Sequence, residues 1–316
     1  MALRGGIDLG GTKIEAVVVD PDSAVVGQSR APTPTEGGPP DVVQALASTL
    51  RDAAEAAGVK PEELSGVGVG SPGEVENGSV SHARNLPDWD GTFPLASALS
   101  EQLGVPVKVA NDVGVAVDAE AKLGAGKGYG SFLGVWWGTG VGGAVVVQGK
   151  RWLGRGAAGE IGHTVVKLGG AKCECGRRGC LEAYAGRGAM EGKARREASR
   201  GTKTVLFDLM EKHDRTRLTS GIWARALERE DKLAEKLVSR AVEALGAGIG
   251  SAVNLLDVEA VVIGGGLGTR FGQAYVEKIE QEMMKHLFVS ERPPAVLPAG
   301  LGDLGGAVGA SLLVKP

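Results

Sequence analysis

The sequence predicts an α/β protein of two lobes with a cleft between them. Short apolar runs rich in β-branched residues alternate along the chain with longer segments of helical periodicity. A strand, a glycine turn and a second strand occur near the start of the chain and again near its middle. A chain of 316 residues also exceeds the length, about 250 to 300 residues, at which a single hydrophobic core usually divides.

The first lobe is expected over residues 1–118. Its opening, GGIDLGGTKIEAVVVD, predicts two strands joined by a Gly-Gly-Thr-Lys turn, and SAVVGQSRA predicts a third, each antiparallel to the one before it. A helix is expected from Asp41 to Gly58, where apolar residues recur at helical spacing until a glycine ends the pattern. SGVGVGSPG and VPVKVANDVG predict further strands, and VGVAVDAEAKLGAG predicts a helix directly after the second of them.

The second lobe is expected over residues 119–303. Within it, SFLGVWWGTGVGGAVVVQGK repeats the order of strand, glycine turn and strand. The patterns then predict a long helix from Asp231 to Val253, a strand in VEAVVIGGG and a helix from Gly272 to His286. Residues 304–316 are expected to add a helix to the first lobe. Because no Gly/Ser-rich linker separates the halves, we expect two closely joined lobes.

Composition and charge restrict the classes of partner. The chain is 43% hydrophobic and 23% charged with a formal net charge of -3, so it has no basic surplus for nucleic acid or an anionic membrane surface. The opening MALRGGIDLGG lacks the charged and apolar regions of a signal peptide, and no run approaches the roughly 18 apolar residues of a membrane span. We therefore expect a cytoplasmic protein that binds neither nucleic acid nor membranes.

Many of the 52 glycines gather where predicted strands end, in GGTK, GTGVGG and GGGLG. Glycine turns expose backbone N–H groups and let an oxyanion approach the main chain without meeting a Cβ. Each motif alone is more often only a tight turn, but three together favour a site that binds polyphosphate. None of them fits G-x-x-x-x-G-K-[ST], and GGGLG lacks the context of a dinucleotide fingerprint.

All three cysteines of the chain lie close to a histidine in the segment GEIGHTVVKLGGAKCECGRRGC. An odd number of cysteines in a reducing compartment is a poor disulfide framework. His163, Cys173, Cys175 and Cys180 instead have the spacing H-x9-C-x-C-x4-C, which supplies four ligands for one tetrahedral ion. Three thiolates and an imidazole favour zinc, and four protein ligands make that zinc structural. The alternative is a group of reduced thiols without metal.

Six motifs in this order and spacing, DLGGTK, ND, GTGVGG, GEIGH, CECGRRGCLE and GGGLG, resemble the ROK (repressor, open reading frame, kinase) sugar kinases. The resemblance covers essentially the whole chain. It implies the actin-like ATPase fold, in which two lobes with ribonuclease H-like cores close over a sugar and ATP. The repressors of the family carry a DNA-binding domain ahead of the first phosphate loop. Here that loop begins within the first ten residues, so the kinase branch is expected.

Phosphoryl transfer to a sugar needs a group that accepts the proton of the attacking hydroxyl, and a carboxylate at the end of a strand can do this. Asp112 in VANDVG is our candidate. An Asn-Asp pair after a strand is otherwise most often a helix N-cap. The resemblance favours the catalytic interpretation, because Asn111 and Asp112 match the sugar-binding asparagine and the catalytic aspartate of the family.

Further sugar contacts follow from the same resemblance. Glu160 and His163 match the Glu-x-Gly-His motif of the family, in which the zinc-binding histidine also touches the sugar, and Glu182 matches a second sugar-binding glutamate. Surface carboxylates are the plain alternative for both glutamates. Carboxylates that accept from sugar hydroxyls nevertheless give charge-assisted hydrogen bonds that discriminate among sugars. Asn85 in RNLPDW is expected to add another contact.

The resemblance also implies Mg-ATP as the phosphate donor, with Asp8 near the magnesium ion and Thr12 and Lys13 beside the phosphates. Trp136 and Trp137 depart from the family pattern, which has smaller residues before the second glycine turn, so a phosphate contact there is expected from Thr139 and the backbone. The residues expected to contact the nucleotide are Asp8, Gly10, Gly11, Thr12, Lys13, Gly138, Thr139, Gly140, Gly264, Gly265 and Gly266.

The resemblance thus implies a hexose kinase that transfers the γ-phosphate of ATP to the 6-hydroxyl of glucose. Side-chain identities do not reveal the room near C2 of the sugar, so N-acetylmannosamine, N-acetylglucosamine, mannose and fructose remain alternative acceptors. Polyphosphate remains an alternative donor. A non-catalytic regulator that senses sugar is the alternative from another functional class. The resemblance also favours a homodimer or homotetramer.

Overall fold

The computed structural model describes residues 2–83 and 85–315. The chain forms two compact units, Met1–Gly124 together with Asp303–Pro316, and Ala125–Gly302. Each unit contains a mixed five-stranded sheet with helices packed against it. Across the described residues, no helix combines the length and the apolar character needed to cross a bilayer.

The first unit begins with eight strands and three helices. In chain order they are β1 (Arg4–Leu9), β2 (Lys13–Val19), β3 (Val25–Pro32), α1 (Pro39–Ala56), β4 (Val67–Ser71), β5 (Glu74–Glu76), β6 (Ser79–Ser81), β7 (Thr92–Phe93), α2 (Leu95–Leu103), β8 (Val107–Asn111) and α3 (Asp112–Leu123).

The main sheet of this unit has the strand order β3-β2-β1-β4-β8. β1 pairs antiparallel with β2, and β2 pairs antiparallel with β3, which confirms the consecutive antiparallel strands predicted from the opening residues. β4 and β8 then join in parallel, so the carboxyl ends of β1, β4 and β8 lie at the same edge of the sheet. Strands β5, β6 and β7 form a small separate antiparallel sheet.

Helix α1 covers one face of the main sheet. Two prolines, Pro39 and Pro40, occupy its first turn, where a missing N–H costs no hydrogen bond. Its apolar stripe, which includes Val42, Leu46 and Leu50, is fully buried in the core of the unit. The apolar residues whose spacing predicted this helix are therefore the residues that pack in the core against the strands.

The second unit has five strands and seven helices. In chain order they are β9 (Ser131–Trp137), β10 (Val141–Val147), β11 (Lys150–Trp152), α4 (Glu182–Ala185), α5 (Arg187–Ala198), α6 (Leu206–Lys212), α7 (Ser220–Glu228), α8 (Lys232–Leu256), β12 (Ala260–Gly264), α9 (Gly265–Phe271), α10 (Gln273–Met284) and β13 (Ala295–Pro298).

Its sheet repeats the first one, with the order β11-β10-β9-β12-β13 and the same pattern of two antiparallel and two parallel pairings. The repetition confirms the internal similarity seen in the sequence. The long helix α8 begins after Asp231, whose side chain accepts the Ala234 N–H at 2.8 Å, and ends at Asp257 in the left-handed conformation.

The last helix, α11 (Gly305–Ser311), packs against β1, β4 and α3 of the first unit. Two glycines make this contact close. A Cβ on Gly6 would collide with the carbonyl oxygen of Ala307, and a Cβ on Gly68 would collide with that of Ala310. The helix backbone therefore lies directly on the two central strands of the sheet.

Candidate functional site

The first glycine turn, Gly10–Lys13, joins β1 to β2. It is closed by a hydrogen bond from the Gly10 N–H to the Lys13 carbonyl at 3.0 Å. Thr33, which is buried, braces the turn because its hydroxyl donates to the Gly10 carbonyl at 2.6 Å and its N–H donates to the Thr12 carbonyl at 3.3 Å. Gly11 and Thr12 remain exposed. The turn is thus a fixed loop that presents its tip to solvent.

Lys13 directs its ammonium group along the strand to Glu15, with Nζ 2.6 Å from Oε2. Arg30 on β3 donates through Nε to the other oxygen of Glu15 at 2.7 Å, and the Glu15 side chain is only 2% exposed. Lys13 and Arg30 therefore both form ion pairs with the buried carboxylate of Glu15. The sequence analysis did not single out Glu15, although an acid within the apolar strand KIEAVVV is a signal of such a pairing.

Asp8 lies on β1, before the turn rather than within it. Burial raises the pKa of its carboxyl group from 3.8 to about 7, with further contributions from the charges of Asp112 and Glu15, while Lys13 acts in the opposite direction. Carboxylates that repel one another at a partly desolvated position are stabilised by a bound cation. A hard divalent ion such as Mg²⁺ beside Asp8 would reduce the repulsion between the Asp8 and Asp112 carboxylates.

Asn111 and Asp112 lie where β8 ends and α3 begins. The Asn111 Oδ1 accepts the Gly114 N–H at 3.0 Å, so this residue is the N-cap of the helix, as the plain interpretation of the pair expected. Asp112 Oδ1 accepts the Val113 N–H at 2.8 Å. Capping engages one oxygen of each side chain and leaves the Asn111 amide group as a donor for a ligand.

Asn85 lies against the first glycine turn. A Cβ on Gly11 would stand 2.9 Å from the Asn85 Cβ and 3.2 Å from its carbonyl oxygen. Asn85 itself is exposed. The structure therefore brings this predicted sugar-binding residue beside the predicted phosphate-binding turn of the same unit.

The second glycine turn, Gly138–Gly140, and the third, Gly264–Gly266, meet in the second unit. A Cβ on Gly138 would stand 3.8 Å from the Gly266 nitrogen. The Gly265 φ of 81° lies in the left-handed region, and a Cβ there would stand 2.7 Å from the Trp137 carbonyl oxygen, so this position requires glycine. The glycines of the two turns therefore bring their backbones close together, and Thr139 is the residue among them that carries a side chain beyond glycine.

The two tryptophans before the second turn have separate packing roles. Trp137 is buried, and its indole N–H donates to the Ala185 carbonyl at 2.7 Å. Trp136 lies against the third turn, since a Cβ on Gly264 would stand 2.9 Å from its ring. Trp136 thus packs on the third turn, while Trp137 connects strand β9 to the end of helix α4.

The second turn also receives a hydrogen bond from an arginine that the sequence analysis did not identify. The Arg187 guanidinium donates to the Thr139 hydroxyl oxygen at 2.7 Å. The two residues lie 48 positions apart in the chain, and an arginine within AGRGA has no distinctive local pattern. This contact is visible only in the folded chain.

The cysteine–histidine cluster, formed by His163, Cys173, Cys175 and Cys180, is assembled within the second unit. One potential ligand atom from each side chain lies within 4.8 Å of all the others. Cys173 Sγ is 3.9 Å from His163 Nδ1, and Cys175 Sγ is 3.7 Å from Cys180 Sγ. Four bonds of about 2.3 Å to a tetrahedral zinc ion would place sulfur atoms about 3.8 Å apart. The donor set and its spacing fit zinc.

Backbone contacts shape the loop that carries the cysteines. The Cys173 N–H donates to the Arg177 carbonyl at 2.8 Å, and the Gly176 N–H donates to the Cys173 carbonyl at 3.0 Å. Gly179 has a φ of 84°, and a Cβ there would collide with the Lys167 carbonyl oxygen. The glycines of CECGRRGC are thus required for the tight path that turns the thiols inward.

The thiols of the cluster differ in acidity. Burial raises the pKa of Cys173 to about 12 and also raises the pKa of Cys180. A hydrogen bond from the Arg177 backbone lowers the pKa of Cys175 to about 7. Thiols in such an environment bind a metal as thiolates, because the cation itself supplies the charge that deprotonates them.

Glu182 begins helix α4 and connects the cluster to the second glycine turn. Its Oε2 accepts the Val141 N–H at 2.9 Å, and its Oε1 lies 4.0 Å from Cys173 Sγ. Glu160 precedes the short 3₁₀ turn Ile161–His163, is exposed, and accepts the His163 N–H through its backbone carbonyl at 3.0 Å. The structure thus groups His163 and Glu182 around Cys173, and no side chain among the described residues pairs with the Glu160 carboxylate.

The comparisons with known proteins agree with this architecture. The family model described as "ROK family" matches residues 4–316. The chain belongs to the ROK family. Among curated ROK relatives, the glucokinase of Thermotoga maritima is 32% identical over 317 residues, which cover 98% of this chain and 96% of the relative. The glucokinase of Streptomyces coelicolor is 34% identical over 324 residues, which cover 100% of this chain and 98% of the relative.

Two solved ROK structures are similar along the whole chain. The ROK family glucokinase from Streptomyces griseus, in complex with glucose and AMPPNP, has a TM-score of 0.83 and 30% identity and covers 99% of both chains. The ROK hexokinase from Thermus thermophilus has a TM-score of 0.76 and 34% identity, covering 99% of this chain and 97% of that one. The predicted actin-like ATPase fold is therefore confirmed for this ROK chain.

Proposed function

We propose that the chain is a glucokinase, an ATP-dependent kinase that transfers the γ-phosphate of ATP to the 6-hydroxyl of glucose. The observation that carries this proposal is the similarity, over 99% of both chains, to a ROK glucokinase in complex with glucose and AMPPNP. AMPPNP is an analogue of ATP, so that complex has the two substrates of the proposed reaction. The glucokinases among the curated relatives support the same activity.

In the first unit, Asp112 would accept the proton of the 6-hydroxyl as that oxygen attacks the γ-phosphate. One of its oxygens is held by the Val113 N–H, which fixes the orientation of the carboxylate. Asn111 would donate from its amide nitrogen to a sugar hydroxyl, because its oxygen is already engaged in the helix cap. Asn85 is exposed beside the first glycine turn and would add a further contact.

In the second unit, Glu160, His163 and Glu182 would bind the sugar hydroxyls. Glu160 is exposed and offers a full carboxylate. Glu182 would accept sugar hydroxyls mainly through Oε1, because Oε2 already accepts the Val141 N–H. Such charged acceptors distinguish sugars by the positions of their hydroxyl groups, because an unmatched buried acceptor costs binding free energy.

ATP would bind through the three glycine turns, whose backbone N–H groups would donate hydrogen bonds to phosphate oxygens. Thr12 and Lys13 in the first turn and Thr139 in the second would supply side-chain donors. Asp8 would hold the magnesium ion that accompanies ATP, and that ion would neutralise charge on the phosphates during transfer. The raised pKa of Asp8 in the protein alone supports a cation beside it.

The cysteine–histidine cluster would hold one structural zinc ion through His163, Cys173, Cys175 and Cys180. The ligand spacing supports this assignment. The ion would fix the loop that leads from the Glu-x-Gly-His motif to Glu182, and so would keep these sugar ligands in place. We also propose that the enzyme acts in the cytoplasm as a homodimer or homotetramer without nucleic acid; light scattering tests its assembly.

A related sugar is the second candidate acceptor. The N-acetyl-D-glucosamine kinase of Yersinia pseudotuberculosis is 34% identical over 328 residues, which cover 98% of this chain and 97% of the relative. That identity is as high as for the glucokinase of Streptomyces coelicolor. Family similarity alone therefore does not choose between a hydroxyl and an acetamido group at C2 of the acceptor.

A coupled assay of ADP release decides the acceptor and the donor. We expect the highest kcat/KM with glucose, compared with mannose, fructose, N-acetylglucosamine and N-acetylmannosamine, each with ATP and magnesium. Direct detection of glucose 6-phosphate allows polyphosphate to be compared as donor. Turnover that is fastest on an N-acetylhexosamine would assign the second candidate function, and no turnover on any sugar would favour a sugar-sensing regulator.

A further inference from the structure

Helix α5 begins directly against the second glycine turn. The Arg187 N–H donates to the Gly138 carbonyl at 3.1 Å, and the Gly188 N–H donates to the Thr139 carbonyl at 3.0 Å. The Arg187 side chain returns to the same turn and donates to the Thr139 hydroxyl oxygen at 2.7 Å. Three hydrogen bonds therefore fix both the backbone and the side chain of Arg187 relative to Thr139.

This geometry sets the direction of the Thr139 hydroxyl proton. A hydroxyl has one donor and two acceptor lone pairs, and a guanidinium can only donate. Because Arg187 occupies an acceptor position of Thr139, the hydroxyl proton must point elsewhere. Thr139 is exposed, so that proton is available to an acceptor outside the protein, such as a phosphate oxygen.

The carboxylate of Glu191 on the same helix is already paired with other groups. Glu191 is buried, and its two oxygens are engaged by Arg195 at 2.7 Å, by Arg217 at 3.1 Å and by the Leu218 N–H at 3.1 Å. Among the described residues, Arg187 has no carboxylate within ion-pair distance. Arg195 and Arg217 thus share the Glu191 carboxylate, and in the described part of the chain Arg187 at the glycine turn has no carboxylate partner of its own.

The lowered pKa of Arg187 shows that its positive charge is poorly stabilised by the surrounding protein. Burial lowers the pKa of its guanidinium group, the charge of Arg217 lowers it further, and Glu191 compensates only in part. A partly buried cation is stabilised when an anion binds beside it. Arginine is suited to phosphate because its planar fork can donate two parallel hydrogen bonds.

We propose that Arg187 is a phosphate-binding residue of the nucleotide site, where it and the Thr139 hydroxyl contact the β-phosphate of ATP. This inference rests on the proposed function, because it assumes that the second glycine turn binds the phosphates. It adds a charged ligand to a turn that was otherwise expected to bind through Thr139 and its backbone alone.

The test is calorimetric titration of Arg187→Gln with ADP, ATP and adenosine, beside the wild type and Arg187→Lys. Loss of a charge-assisted hydrogen bond should weaken ADP and ATP binding by about 10- to 100-fold. Arg187→Lys should recover part of the loss, since it keeps the charge without the fork. Adenosine binding and the KM for glucose should change by less than about twofold. Arg196→Gln removes a charge from an exposed position of the same helix and should bind all three ligands as the wild type does.

Two results would overturn the assignment of Arg187 and leave the proposed function intact. In one, Arg187→Gln binds ADP and ATP with wild-type affinity while the wild type phosphorylates glucose, so the proposed function stands and the assignment of Arg187 is wrong. In the other, adenosine binding falls as much as ADP binding, which would make Arg187 only a structural support of the turn. A wild-type protein that binds no nucleotide would refute both the proposed function and the role of Arg187.

Discussion

Glu182 accepts the Val141 N–H at 2.9 Å with one oxygen while its other oxygen stands 4.0 Å from Cys173 Sγ. A single carboxylate therefore links the cysteine–histidine cluster to the strand that leaves the second glycine turn. If glucose binds to the free oxygen, Glu182 has two roles that substitution can separate. One role depends on its negative charge, and the other depends only on an acceptor for a backbone N–H.

Glu182→Gln should raise the KM for glucose more than the KM for ATP. The amide oxygen can still accept the Val141 N–H, but the charge-assisted bond to the sugar is lost, which corresponds to about 1.5 to 3 kcal/mol. Glu182→Ala should raise both KM values, because it also leaves the Val141 N–H without its acceptor. Steady-state kinetics with each substrate varied in turn would measure this. Equal effects of the two variants on both KM values would contradict the separation of roles.

Elemental analysis should find one zinc ion per chain, and Cys175→Ser should lose both the zinc and most of the glucose affinity. Removal of one thiolate opens the tetrahedral site, and the loop that carries Glu182 then loses its fixed conformation. Lys172→Ser changes an exposed residue of the same loop and serves as the control. A zinc-free preparation that phosphorylates glucose at the normal rate would refute the structural role of the metal.

Asp112→Asn should reduce kcat by roughly 100-fold or more, because an amide cannot accept the proton of the attacking hydroxyl. Glucose binding, measured by calorimetry, should weaken only by about 1.5 to 3 kcal/mol, as expected when a charge-assisted hydrogen bond becomes a neutral one. Asp52→Asn removes an exposed carboxylate of the same unit and should leave both quantities unchanged. Near-normal turnover by Asp112→Asn would show that Asp112 is a capping or positioning residue and not the general base.

The raised pKa of Asp8 predicts that the free energy of unfolding of the metal-free protein depends on pH. The pKa of its carboxyl group in the folded protein is about 7, against an ordinary value of 3.8, so the folded state binds more protons than the unfolded state between these values. The contribution of Asp8 is most favourable below pH 3.8 and is lost as the pH rises through about 7. The ionised carboxylate then costs up to about 4 kcal/mol.

Asp8→Asn should therefore be more stable than the wild type in EDTA at pH 8, and the difference should shrink as the pH is lowered toward 4. Urea denaturation at several pH values measures this difference. Saturating Mg-ATP should stabilise the wild type more than the variant, because a cation reverses the cost of the ionised carboxylate. A stability difference that does not vary with pH would show that Asp8 is ionised throughout.

Some of these features could be predicted because they are local in the sequence. The four residues of the cysteine–histidine cluster lie within positions 163–180, so their spacing alone indicated that they would meet. The repeated order of strand, glycine turn and strand likewise indicated two similar sheets. The identity of the metal stays a prediction, since residue types limit the choice of ion without demonstrating it.

Other features depend on contacts between segments that are distant in the sequence, which no local sequence pattern indicates. The bond between Arg187 and Thr139 joins two segments through the packing of α5 on the second turn. The contact of Arg30 with the buried carboxylate of Glu15 likewise joins neighbouring strands, from residues that lie 15 positions apart in the chain. The small sheet of β5, β6 and β7 has strands of only two or three residues, too short for a recognisable alternation.

The position of α11 has a consequence for synthesis of the chain. The second unit is continuous in sequence, whereas the first unit is completed by a helix that follows the whole of the second. On the ribosome, the glycine-lined face of β1 and β4 stays uncovered until residues 305–311 have emerged. The whole second unit therefore leaves the ribosome before the first unit can bury this face of its sheet.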